Sequence, residues 1–442
     1  MRIPLSDHFT YSKLLRFVAP SVLMMIFTSI YSIVDGFFVS NYVNTTAFSA
    51  VNLMAPIFII VSSVGFMVGA GGTALTAKLL GEKRPEDANR VFSLMIYALM
   101  VGGVLLTVIS LVLLKPIAIA LGAKGELLNL SMRYARIILA ANTFFMLQNV
   151  FQNFLIAAEK PKFGLLITVI AGVTNMILDY LFVGVFSWGV EGAAFATAIS
   201  QMVGGIIPLV YFALPNNSLL RLTRTRFDGK ALLKACTNGS SELMTNASSS
   251  VVTMLYNFQL LRLTGEEGVA AYGAIMYVNF LFAAVFFGYC LGSAPAISFH
   301  YGAGNRSELN NLYGKSMGVM GCLGLAMAAI SFFMASPFSH LFIKDNPDLY
   351  HMTMRGFQLY APTFLLFGFN VFGSGFFTAL NNGGVSAALS FLRTLLFQVV
   401  SILVLPLWLG ISGVWLANVL AELLALVVTT LCFMRYRKRY GY

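Results

Sequence analysis

Long apolar runs recur along this chain from about residue 14 to residue 434. Each is long enough to cross a hydrocarbon core of ~30 Å as a helix. Twelve fit, at roughly 14–40, 47–78, 90–114, 128–158, 163–187, 190–214, 231–262, 268–299, 309–335, 348–380, 384–408 and 411–434. With 58% hydrophobic and 10% charged residues among 442, the composition is not that of a soluble protein. An all-α integral membrane protein with twelve transmembrane helices is expected. The connections are too short for an appended soluble domain. Met1–Lys13 is polar and the first apolar run exceeds an h-region, so no cleavable signal is expected.

The net charge of +11 invites a nucleic-acid reading, but its placement argues otherwise. Threaded through twelve spans, about three-quarters of the 28 Lys and Arg fall on the side holding both termini. That asymmetry is the positive-inside rule and predicts cytoplasmic termini. The basic excess is topology, and no nucleic-acid partner is expected. Arg393, near the start of its span, is expected to snorkel to the cytoplasmic face, and His300 to sit at the interface. Four cysteines, Cys236, Cys290, Cys322 and Cys432, lie in apolar spans without metal-ligand or disulfide spacing and read as packing residues.

Sliding the chain by 221 residues superposes its landmarks without a gap. Asp7 falls on Asp228, Gly71 on Gly292, Gly81 on Gly302, and Asn149-Val150-Phe151 on Asn370-Val371-Phe372. Gly189 and Gly192 fall on Gly410 and Gly413. Turn residues and span ends staying in phase predict a duplicated unit. Six spans per copy give both copies one orientation, hence two pseudo-symmetric lobes. The predicted division is 1–214, a linker at 215–230 rich in Asn and Arg, and 231–442.

Four acidic residues sit well inside spans: Asp35, Asp179, Glu242 and Glu422. Ionisable groups within a bilayer are expensive, face a protein interior or water-filled cavity, and mark function. Asn175 and Asp179, four apart in Thr174-Asn175-Met176-Ile177-Leu178-Asp179-Tyr180, put an amide oxygen and a carboxylate on one helix face. Such ligands suit Na⁺, and a carboxylate in a nearly dry pocket is equally suited to carrying a proton. Asp35 lies deep in span one, and span six brings Thr197 to a depth similar to Asn175. Under the 221 shift, Asn175 and Asp179 land on Leu396 and Val400, so the ion site is expected in the first lobe only. No G-x-x-x-x-G-K-[ST] motif is present, so active transport would need an ion gradient.

On these residues the chain resembles the multidrug and toxic compound extrusion (MATE) family, in the branch of MepA and DinF. Pro20 and Asp35 match a proline and aspartate that recur in that family's span one. The resemblance implies a MATE/MOP-type fold. It also implies a first-lobe cation site at Asn175, Asp179, Thr197 and Asn149, together with Asp35. If the ion is Na⁺, the ligands implied are Asp35, Asn175, Asp179 and Thr197. Glu242 resembles a span-seven acid used for cations or cationic substrate, and Asn370 stands where such relatives carry a span-ten aspartate. The resemblance implies Glu242 and Asn370 as substrate-binding residues and no complete second-lobe ion site.

The implied function is Na⁺- or H⁺-coupled antiport of bulky amphipathic, often cationic compounds from the bacterial cytoplasmic membrane. No cofactor beyond the coupling ion is expected; a small-molecule substrate and the lipid bilayer are the partners, and a monomer is expected. The alternative is a flippase for a lipid-linked or polysaccharide precursor, which should line its cavity with several Arg or Lys. An enzyme is disfavoured: no His-Asp pair, Gly-x-Ser-x-Gly or His-Glu-x-x-His falls within a span.

Overall fold

The computed structural model describes residues 3–43, 45–342 and 346–442; Arg2 and Lys344, one on each side of the charge count, fall outside them. Helices occupy the apolar runs and stop at turn residues. The first half contains α1 (Tyr11–Tyr42), α2 (Thr45–Gly81), α3 (Pro85–Ala120), α4 (Gly125–Ala157), α5 (Pro161–Asp179) and α6 (Gly189–Ala213). Between α5 and α6 the helix continues as a π-helical turn, Tyr180–Val185. The second half contains α7 (Gly229–Thr264), α8 (Glu266–Gly302), α9 (Arg306–Phe333), a short α10 (Ala335–Phe342), α11 (Pro347–Tyr360) and α12 (Pro362–Ala379). It ends with α13 (Gly383–Phe391), a second π-helical turn Leu392–Phe397, α14 (Gln398–Leu409) and α15 (Ile411–Tyr440).

Among the described residues, 10 helical stretches are long and apolar enough to cross a membrane. Helices α4 and α7 match them in length, with 33 and 36 residues, but are more polar. Their polar residues are turned inward: Asn142, Gln148 and Asn149 on α4, and Asn238, Ser241 and Gln259 on α7, are all buried. With these two the count reaches the expected twelve. Span ten is α11 and α12, interrupted before Pro362, and span eleven is α13, its π turn and α14. The chain is a multi-pass membrane protein.

Packing follows the halves of the sequence. One buried cluster gathers α2, α3, α4 and their neighbours; a larger one gathers α7 to α15. The larger cluster also takes in Leu5, Phe9, Leu14 and Phe17 from the chain start. The N-terminal segment bridges the halves: Leu5 N donates to Glu159 at 2.8 Å, and Phe9 N to Glu308 at 2.8 Å. His8 Nδ1 lies 2.6 Å from Glu308, and Asn311 and Lys315 donate to the Phe9 carbonyl. The linker docks similarly, Arg221 N on Asn89 and Thr223 N on Ser93.

Across the halves α2 meets α7 and α8, and α1 meets α8. The approach of α2 to α8 is symmetric. A Cβ on Gly81 would lie 2.0 Å from the Phe299 carbonyl oxygen, and one on Gly302 would lie 2.1 Å from that of Lys78. These four residues form two pairs 221 apart, so the pseudo-twofold passes through the α2–α8 contact. It lies at the end of the molecule that carries both termini. We therefore expect Gly302→Ala to force α2 and α8 apart, lowering stability by about 1–3 kcal/mol as overpacking does. A thermal unfolding midpoint unchanged from the parent protein would contradict the packing described.

Candidate cation site

The site is built where α1 and α5 pack without spacing. Phe27, Tyr31 and Asp35 recur every four residues on one face of α1. Opposite them on α5 are Gly172, Asn175 and Asp179. A Cβ at Gly172 would lie 2.5 Å from the Phe27 ring and 2.8 Å from the Tyr31 ring, so only a glycine lets the helices close. That closure carries Asp35 towards Asp179. The π-helical turn begins at Tyr180, immediately after Asp179, and π turns often mark functional positions because they re-aim neighbouring side chains.

Asp179 is 0% exposed and Asn175 1%. The Asp35 carboxyl faces the Asp179 carboxyl and the Thr197 hydroxyl. Asn175 Nδ2 donates to Thr197 Oγ1 at 3.4 Å, leaving that hydroxyl's own proton free for Asp35. Both oxygens of Asp179, Oδ1 of Asp35 and Oδ1 of Asn175 are buried and have no hydrogen-bond donor. Two ionised carboxylates face to face have no proton to offer each other. Buried polar atoms are almost always paired, so four converging orphan oxygens call for a positive group. A proton shared between the carboxyls or a Na⁺ among the four oxygens satisfies the same deficit. Among the described residues no three His, Cys, Asp or Glu side chains converge as in a transition-metal site.

The structure thus brings Asp35, Asn175, Asp179 and Thr197 together. Asn149 stands apart from them by its hydrogen bonding: buried on α4, it donates to its own helix at Phe145 O, 2.9 Å away. Sequence reading missed Tyr134 of α4, whose phenol lies near both Asp35 and Asp179 and whose ring packs on Phe58. A tyrosine in an apolar run gives no signal of this.

In the second half Asn370 is enclosed. Its amide donates to Glu422 Oε2 at 2.7 Å and Glu422 O at 2.8 Å, while Thr429 donates to its oxygen. Glu422 thereby ties α15 to α12. Glu242 is half-buried on α7, near Arg393. Two expectations are corrected. Arg393 does not snorkel: it is 6% exposed, with Nε 3.9 Å from Glu422 Oε1 and its guanidinium over the Phe367 ring. The acids inside the bundle draw it inward. His300 is not interfacial but buried, edge-on to Phe9, because the N-terminal segment covers it.

The gap-free register also fails in span eleven. Leu396 and Val400, its predicted counterparts of Asn175 and Asp179, are 43% and 46% exposed. The buried residues in phase with Asn175 and Asp179 are Gln398 and Ile402. The π turns bracket the slip: in span eleven the turn precedes these positions, and in span five it follows them.

This architecture is that of MATE transporters of known structure. A crystal structure of a MATE protein in complex with MaL6 superposes with TM-score 0.92 at 23% identity, covering 98% of this chain and 97% of that one. An outward-facing multidrug-resistance MATE transporter of the MOP superfamily gives 0.91 at 23% identity, over 98% and 97%. A MOP-superfamily transporter from Pyrococcus furiosus gives 0.92 at 22%, over 98% of each. The MatE family matches the sequence twice, at residues 20–181 and 243–404. The chain belongs to that family. Similar proteins include the multidrug export protein MepA of Staphylococcus aureus (strain MSSA476), 23% identical over 97% of this chain and 94% of that protein. The MepA of Staphylococcus haemolyticus is 26% identical over 68% and 66%.

Proposed function

We propose that this protein is a Na⁺- or H⁺-coupled antiporter that exports bulky amphipathic, often cationic compounds by alternating access. The moving parts are lobes 1–214 and 231–442, joined by the linker 215–230. The observation that carries the reading is the set of four buried oxygens without donors on Asp35, Asn175 and Asp179. Membership of the MatE family and likeness to the MepA proteins support the export direction and the class of cargo.

In this mechanism the tight contact between α2 and α8 closes the cytoplasmic end, where both termini lie by the positive-inside argument. A cation then enters from outside. It relieves the repulsion between Asp35 and Asp179, which take up and release charge as a pair. Relief draws α1 onto α5, and cargo leaves. After the lobes swing, cation loss to the cytoplasm restores the repulsion and favours binding of new cargo at Glu242. The ion drives this cycle only through unequal affinity for the two states. The protein works in the cytoplasmic membrane of a bacterium.

The flippase reading finds little support. Arg393 is the one buried Lys or Arg among the described residues, and it pairs with Glu422. The test is efflux of an ethidium-like dye from cells lacking other exporters. Expression of the protein should speed dye loss several-fold over empty vector, and Asn175→Ala, at equal protein level, should return it towards the vector rate. Dye loss equal with and without the protein would end the proposal.

A further inference from the structure

The second half holds the counterpart of the cation site, and it is already satisfied. The 221 shift carries Asp35 onto Tyr256 and Thr197 onto Asn418, while the burial phase pairs Asn175 with Gln398. These three are hydrogen-bonded to one another and onward. Tyr256 Oη donates to Gln398 Oε1 at 3.2 Å, Gln398 Nε2 to Asn418 Oδ1, and Asn418 Nδ2 to Tyr360 Oη at 2.7 Å. Tyr360 Oη continues to Asn279 at 3.2 Å. All five side chains are neutral. Where the first half leaves carboxylate oxygens bare, this network has no electrostatic use for an ion.

The acids of the second half sit instead around Arg393, at the start of the span-eleven π turn. Glu422 from α15 is its ion-pair partner, Glu242 from α7 acts on it electrostatically, and the Cys290 thiol from α8 is the remaining titratable neighbour. Phe367 from α12 covers one face of the guanidinium. Arg393 Nη1 is buried without an acceptor, so the group is held here by charge and stacking rather than by a saturated hydrogen-bond fork. The corresponding stretch of span five is Ala171-Gly172, small and uncharged. One half offers a vacancy for a cation, and the other carries a cation on its own backbone.

We infer that Arg393 is the resident counter-cation of the second lobe, so that Glu422 is neutralised without a transported ion and coupling rests on the first lobe alone. The inference builds on the coupling reading above. Buried carboxylates that lose a fixed counter-charge must capture another cation, a proton or Na⁺, because an unpaired buried charge is prohibitive.

The test counts cations bound per purified protein, by proton titration and by ²²Na⁺ binding. Arg393→Gln should bind one cation more than the parent protein, and Arg393→Lys the same number as the parent. Arg393→Gln/Glu422→Gln should return the count to that of the parent. In an Asp179→Asn background, Arg393→Gln should still add its cation, which separates this inference from failure of the first-lobe site. If Arg393→Gln alone does not fold, recovery of a folded protein with the parental count in the double variant supports charge compensation. An unchanged count in folded Arg393→Gln overturns the inference, as does failure of the double variant to recover fold or count.

Discussion

Asp179→Asn should reduce cation-driven efflux by on the order of 100-fold at equal protein level, taking coupling energies of ~1–3 kcal/mol as the scale. Asn has nearly the volume of Asp, so packing at this fully buried position is kept while the charge is lost. The Asp35–Asp179 repulsion, which the cation relieves, then no longer exists. Substrate binding should survive, since Glu242 lies in the other half of the sequence. Efflux and dye binding measured on the same variant therefore separate lost coupling from lost fold. Parental efflux in Asp179→Asn would show that the orphan oxygens have no part in transport.

The second large effect concerns the N-terminal segment. Glu308→Ala should destabilise the protein by roughly 2–4 kcal/mol, because it strands the buried Phe9 N–H and removes the partner of His8, each such loss costing ~1–3 kcal/mol. Glu308 accepts from Phe9, Asn311 and the His8 ring at once. Residues 3–10 should become open to protease, and the unfolding midpoint should fall. Glu308→Gln keeps an acceptor oxygen and should lose less. Equal protease resistance in Glu308→Ala and the parent would mean that the segment is held by Leu5 and Phe9 packing alone.

The spans were legible because apolar length is itself the physical requirement for crossing a bilayer. The candidate site was legible for the converse reason: Asp35, Asn175, Asp179 and Thr197 are conspicuous in runs that otherwise exclude them. The close packing of Phe27 and Tyr31 over Gly172 was not visible, since neither ring nor glycine stands out by composition. Tyr134 was hidden likewise, being one of 18 tyrosines in a chain rich in aromatic residues.

The register slip in span eleven had a different cause. A π turn leaves no mark in composition, so only the burial of Gln398 and Ile402 reveals the slip beside it. Arg393 was misplaced because a basic residue near a span end ordinarily reaches water. Its partners, Glu422 on α15 and Glu242 on α7, are distant in sequence and meet it only in the folded bundle.

The most direct measurement is transport of an ethidium-like cation by the purified protein in proteoliposomes, with Na⁺ and pH gradients imposed separately. The account predicts that one of the two gradients drives uphill movement, and that Asp35→Asn and Asp179→Asn each abolish the drive. Uphill movement that persists with both gradients collapsed, or that either variant leaves at the parental rate, would contradict it.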